Sequence, residues 1–152
     1  MSVEIISECL FRRQHQILGG YLLKEQYIQA IHSILLQHDA QTSDADCFTA
    51  AESILKDGFH WVREFSKQPS EATVVSMIHH LSRAATEQDK VVALMTLAFV
   101  LGTTKMPTDV ATGLFDELLF RFFDNRSSDE ELTRLKAMIA NLYQLATEYS
   151  PF

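Results

Sequence analysis

Lys90-Val-Val-Ala-Leu-Met-Thr-Leu-Ala-Phe-Val-Leu-Gly102 decides the fold. From Val91 to Leu101 only Thr96 is polar, so a helix through this stretch has no face for water. Such a helix belongs inside a protein or a membrane. A bilayer span needs about 20 apolar residues, and this run is too short. It therefore reads as the buried central helix of an all-α bundle, over about residues 89–104. Asp89 and Lys90 are expected to open it, Gly102 to close it, and Pro107 to force a new direction.

The flanking sequence supplies amphipathic helices. Val3–Leu18 is weakly amphipathic and reads as an extra N-terminal helix within residues 1–20, broken by Gly19-Gly20. Tyr21–His38 carries Tyr27, Ile28, Ile31, Ile34 and Leu35 at helical spacing. After a polar loop at 39–44, with Ser43 or Asp44 as cap, Ala45–Ser66 shows two apolar faces. Phe48, Ala51, Leu55, Phe59 and Val62 form one. Ile54, Trp61 and Phe65 form the other, which needs a partner of its own. Glu71–Thr86 follows Pro69, with a stripe of Val74, Val75, Ile78, Leu81 and Ala85 and with Met77 beside it. Beyond Pro107 a helix runs to about Asp124, with an apolar stripe from Val110 to Phe123. Ser128-Asp-Glu-Glu131 has the form of a capping box for the last helix. Nothing reads as a strand or an internal repeat. The expectation is one domain over 1–152, a bundle of six to seven helices.

Composition narrows the function. The chain has 152 residues, 47% hydrophobic, and a formal net charge of −7. That charge disfavours nucleic acid, whose phosphates ask for a basic face. Cys9 and Cys47, far apart, suggest a reducing compartment rather than a disulfide framework. Glu4 and Glu8 interrupt any secretory leader, and Tyr149-Ser-Pro-Phe152 carries no apolar anchor. A stable membrane span is therefore not expected, and the chain reads as soluble. Asn125-Arg-Ser127 fits a glycosylation acceptor by chance.

Chemistry-bearing motifs are missing. His79 and His80 are neighbours and point about 100° apart on a helix. There is no Glu-x-x-His, H-E-x-x-H or Cys-x-x-Cys, and no phosphate-binding glycine loop or nucleophile elbow. The expectation is no metal, no cofactor and no catalytic set; the chain does not read as an enzyme.

Met77-Ile-His-His-Leu-Ser-Arg-Ala-Ala-Thr-Glu-Gln-Asp-Lys-Val-Val-Ala-Leu94 aligns without a gap on the pattern M-I-H-x-F-S-D-G-x-x-N-W-G-R-I-V-x-L. Ile54-Leu-Lys-Asp-Gly58 is similar to a death-motif segment, L-x-x-x-G-D. In these two patches the chain resembles the B-cell lymphoma 2 (Bcl) family of apoptosis regulators, over about Tyr21–Asp124. It departs from the pattern in several places. Glu87-Gln-Asp-Lys90 stands for N-W-G-R, so a compact lysine charge replaces a bidentate arginine. Phe59 replaces the motif's Asp, and a G-G-W motif is absent, Trp61 being the lone tryptophan. Such erosion looks most like the short, divergent viral members.

The resemblance implies a Bcl-like fold that takes an amphipathic helix in an apolar groove. Trp61, Phe65, Met77, His80, Lys90, Ala93, Leu94 and Leu97 would line that groove. The implied function is a virus-encoded apoptosis inhibitor in the host cytoplasm, sequestering pro-apoptotic death-motif helices such as Bim first, then Bak or Bax. A second reading keeps the fold, closes the groove and blocks inflammatory signalling through the outer surface. A third is an unrelated helical chaperone or enzyme. The spare apolar surface of Val3–Leu18 suits pairing with a second copy, so a homodimer is also an expectation.

Overall fold

The computed structural model describes residues 18–123 and 130–148, the side chains of 18–24 excepted. Among these the chain is all-helical: α1 Leu18–His38, α2 Asp44–Lys67, α3 Glu71–Leu81, α4 Glu87–Thr103, α5 Thr108–Phe123 and α6 Glu130–Glu148. The expected helix over Val3–Leu18 falls outside the described residues up to position 17. So do Cys9, Asn125–Ser127, Ser128 and Asp129 of the capping box, and Tyr149–Phe152.

Local chemistry sets the helix ends. Ser43 caps α2, its Oγ accepting from the Asp46 N–H at 3.1 Å. Asp44 and Asp46 then lie in the first turn, where the helix dipole favours negative charge. Ser70 caps α3, accepting from the Thr73 N–H at 3.4 Å, while the Thr73 hydroxyl donates to the Gln68 carbonyl at 2.7 Å. Thr86 caps α4 by accepting from the Asp89 N–H at 3.0 Å.

Three boundaries differ from the sequence expectation. Gly19 and Gly20 lie inside the first turn of α1 rather than breaking the chain ahead of it. Helical φ is open to glycine, and the N–H groups of a first turn have no intrahelical partner to lose. α3 stops at Leu81, short of Thr86. Ser82 donates its hydroxyl to the His79 carbonyl at 2.8 Å, and its N–H bonds the Ile78 carbonyl at 2.9 Å, closing the last turn. Finally, Gly102 does not close α4. Lys105 does, in the left-handed region at φ 55°. The Lys105 N–H bonds the Gly102 carbonyl and the Met106 N–H bonds the Leu101 carbonyl, both at 3.0 Å. That pair of bonds is a Schellman closure with lysine at the position glycine usually takes.

Gly102 serves packing instead. A Cβ built there would stand 2.5 Å from the Ala146 Cβ and 2.6 Å from the Tyr143 carbonyl oxygen. The backbones of α4 and α6 therefore approach closely at this point. α4 packs most extensively on α6 and then on α2; α5, α1 and α3 touch it more sparsely, and α1 lies against α6 and α2. Every residue from Ala93 to Thr103 is buried. Thr96, the polar exception of the central stretch, donates its hydroxyl to the Val92 carbonyl at 2.9 Å, which removes the cost of burying it.

Both apolar faces of α2 contribute buried residues. Ala51 and Val62 of the first face and Ile54, Trp61 and Phe65 of the second are buried with Cys47, Ala50 and Gly58, whereas Phe48, Leu55 and Phe59 of the first are half-buried. On α3 the buried set is Thr73, Met77, Ile78 and Leu81, and Val75 is 61% exposed. No helix among the described residues is long and apolar enough to cross a membrane.

Candidate functional site

α2 and α3 meet around Trp61. Its indole has the His60 ring edge-on at 5.1 Å and the His80 ring, from α3, tilted at 5.9 Å. Trp61 is 8% exposed and Phe65, one turn on, equally so. Met77 of α3, with Leu94 and Leu97 of α4, is wholly buried, and Ala93 is 6% exposed. Six of the eight residues expected to line a groove thus belong to the core. His80 is exposed, and Lys90 is half-buried.

Lys90 is satisfied from within. Its Nζ lies 3.8 Å from Glu87 Oε1 and 6.0 Å from the centroid of the Phe123 ring, at the end of α5. A lysine beside the positive end of a helix asks for compensation, and Glu87 on the same turn provides it. The Phe123 face adds a cation–π contact. The side chain is turned towards α5.

The segment similar to a death motif also faces inward. Ile54 is fully buried, and Gly58 lies against the Phe99 ring so closely that a Cβ there would collide with it. Phe59, standing where the motif has Asp, meets Phe99 edge-on at 5.1 Å, and Tyr27 of α1 does so at 5.5 Å. The Tyr27 hydroxyl has no hydrogen-bond partner among the described residues, and burial pushes its pKa well above the ordinary phenol value. Burial likewise raises Cys47, with Asp44 and Asp46 adding to the effect. No group of three or more His, Cys, Asp or Glu side chains among the described residues is placed to hold a metal ion.

Open apolar space lies elsewhere. α5 and α6 line a cleft of about 300 Å³, with Ala111, Phe115 and Leu119 on one wall, Ile139 and Tyr143 on the other, and Leu94 beneath. Phe115 meets Tyr143 edge-on at 6.4 Å, and the Tyr143 hydroxyl donates to the Met106 carbonyl at 3.0 Å. Of the groove residues expected from sequence, only Leu94 borders this cleft. Nothing in the spacing of the α5 stripe pointed to it, because its walls mix polar and apolar residues from two helices. By contrast, the outer face of α3 around Val75 and His79 is a shallow, open surface.

No protein-family model matches the chain, and neither a curated protein nor a solved structure matches it.

Proposed function

We propose that the chain is an interaction protein with a Bcl-like bundle rather than an enzyme, and that it acts through its outer surface with its groove closed. One observation carries this reading: Met77, Leu94 and Leu97 are fully covered by the chain's own helices, and Lys90 already has Glu87 and Phe123 beside it. A ligand helix seeking those side chains must first uncover them. Each large apolar side chain opened to water costs about 1.5–3 kcal/mol, which comes off the affinity. In this role the protein occupies a signalling partner in the host cytoplasm and so blocks inflammatory signalling. The erosion of N-W-G-R to Glu87-Gln-Asp-Lys90 accords with a groove no longer used.

A second reading, the apoptosis inhibitor that sequesters death-motif helices, is favoured by the seating of α3. Among the described residues this short helix has its main contacts with α2 and α4, both sparse, and lies between Pro69 and the turn at 82–86. Swinging it outward uncovers Met77 and its neighbours. Calorimetric titration of the folded chain with a Bim death-motif peptide separates the two. The closed-groove reading expects no binding heat. Saturable one-to-one binding at about −8 to −12 kcal/mol, nanomolar to low micromolar, overturns it in favour of the inhibitor.

A further inference from the structure

We infer that the cleft between α5 and α6 is a docking site for an amphipathic helix that carries one basic and one acidic flank. The inference stands whether or not the bundle is Bcl-like. Consecutive helices joined by a short connection run antiparallel, yet α5 and α6 are splayed, and α5 has its main contact with α4. Their facing residues recur at helical spacing: Thr108, Thr112 and Asp116 on one wall, Lys136, Ala140 and Gln144 on the other. Two walls of that period leave a trough parallel to both axes, the shape a third helix fills. The floor is apolar, so a stripe of apolar anchors supplies the affinity.

The charges choose the flanks. Asp116 lies on the α5 wall of the cleft and Lys136 on the α6 wall. Neither forms an ion pair among the described residues. An occupant with a basic residue towards α5 and an acidic one towards α6 pairs both; one with two like-charged flanks opposes one wall. Charged rims of this kind set partner and orientation more than affinity.

Three alanine-based helical peptides with leucine at i, i+4 and i+7 test this against the full chain by calorimetry. One has Arg and Glu on opposite flanks, one has Glu on both, and one has Arg on both. The mixed peptide is expected to bind about three- to tenfold tighter than either like-charged one. Asp116→Lys moves the preference to the doubly acidic peptide. Ala140→Trp, at an exposed position on the cleft wall, lowers all binding by about tenfold or more. Circular dichroism checks that both variants are folded. If no peptide binds the folded wild type, or if Ala140→Trp leaves binding unchanged, the assignment is overturned. It is also overturned if Ala140→Trp instead abolishes self-association seen by sedimentation, since a second copy would then own the cleft.

Discussion

Gly102→Ala and Gly113→Ala make the same chemical change in two helices, and the surroundings give them opposite signs. Alanine is favoured over glycine inside a helix by about 1 kcal/mol. At Gly113 nothing lies within 4 Å of the new methyl, so that gain is realised, and we expect about 0.5–1 kcal/mol of added stability. At Gly102 the methyl would sit 2.5 Å from the Ala146 Cβ and 2.6 Å from the Tyr143 carbonyl oxygen. Carbon atoms pack at about 3.5–4.0 Å, so α4 and α6 must part by roughly 1 Å along the largest seam of the bundle. The obstacle is backbone and a Cβ, neither of which can rotate away. Overpacking of this kind costs about 1–3 kcal/mol. The same strained seam loses dispersion contacts along Leu142 and Ala146, so we expect a net loss of about 1–2 kcal/mol. Urea unfolding resolves this, with midpoints moving in opposite directions at unchanged slope. In thermal melts each kcal/mol is about 2–4 °C for a chain of this size. Gly102→Ala as stable as the wild type would refute the close approach of α4 and α6.

Two further substitutions probe features described above. Lys105→Gly relieves a left-handed residue whose conformation costs a side chain about 1–2 kcal/mol. Part of this is returned through the freer unfolded chain, leaving a gain of about 0.5–1 kcal/mol in urea melts. Lys105→Val, β-branched at φ 55°, should lose stability, and a harmless valine would sink the Schellman assignment. Tyr27→Phe removes a buried hydroxyl without a partner among the described residues and is expected to be neutral or stabilising. A loss above about 1 kcal/mol would mean the hydroxyl is bonded. The same residue fixes a pH dependence. Its folded pKa is raised, so its contribution is intact below the unfolded value near 10 and is lost as pH climbs from there. Stability of the wild type should fall above about pH 10 more steeply than that of Tyr27→Phe, measured as urea midpoints across the alkaline range.

The helical plan was legible because Val91–Leu101 leaves no polar face and because Ser43 sits where a cap belongs; Thr86, read as the end of α3, instead caps α4. Burial along α1 followed the spacing at Tyr27, Ile31, Ile34 and Leu35, with Ile28 half-buried. Periodicity failed where two faces compete. It set Phe48, Leu55 and Phe59 on one stripe of α2 with Ala51 and Val62, although only the latter two are buried. It also placed Val75 in a stripe that α3 leaves in water. Spacing reports that a residue is apolar and on a face; it does not report whether another element covers that face. That is why Met77, Leu94 and Leu97 read equally well as groove and as core. The α5–α6 cleft was hidden for the converse reason. Its walls mix Thr112, Asp116 and Lys136 with Phe115 and Ile139, and only the splay of two helices makes them one site. Lys105 gave no signal, since lysine has no preference for the left-handed region.

The seam between α4 and α6 sets an order of events during synthesis. α4 leaves the ribosome before α6, so a helix buried along its whole length from Ala93 to Thr103 emerges without its principal cover. Until Leu135, Ile139, Leu142 and Ala146 have followed, α1 and α2 shield one side of it and the other faces solvent. Nascent chains halted short of Glu130 should therefore aggregate or be held by chaperones. Completion of α6 is the step that turns a sticky intermediate into a closed bundle.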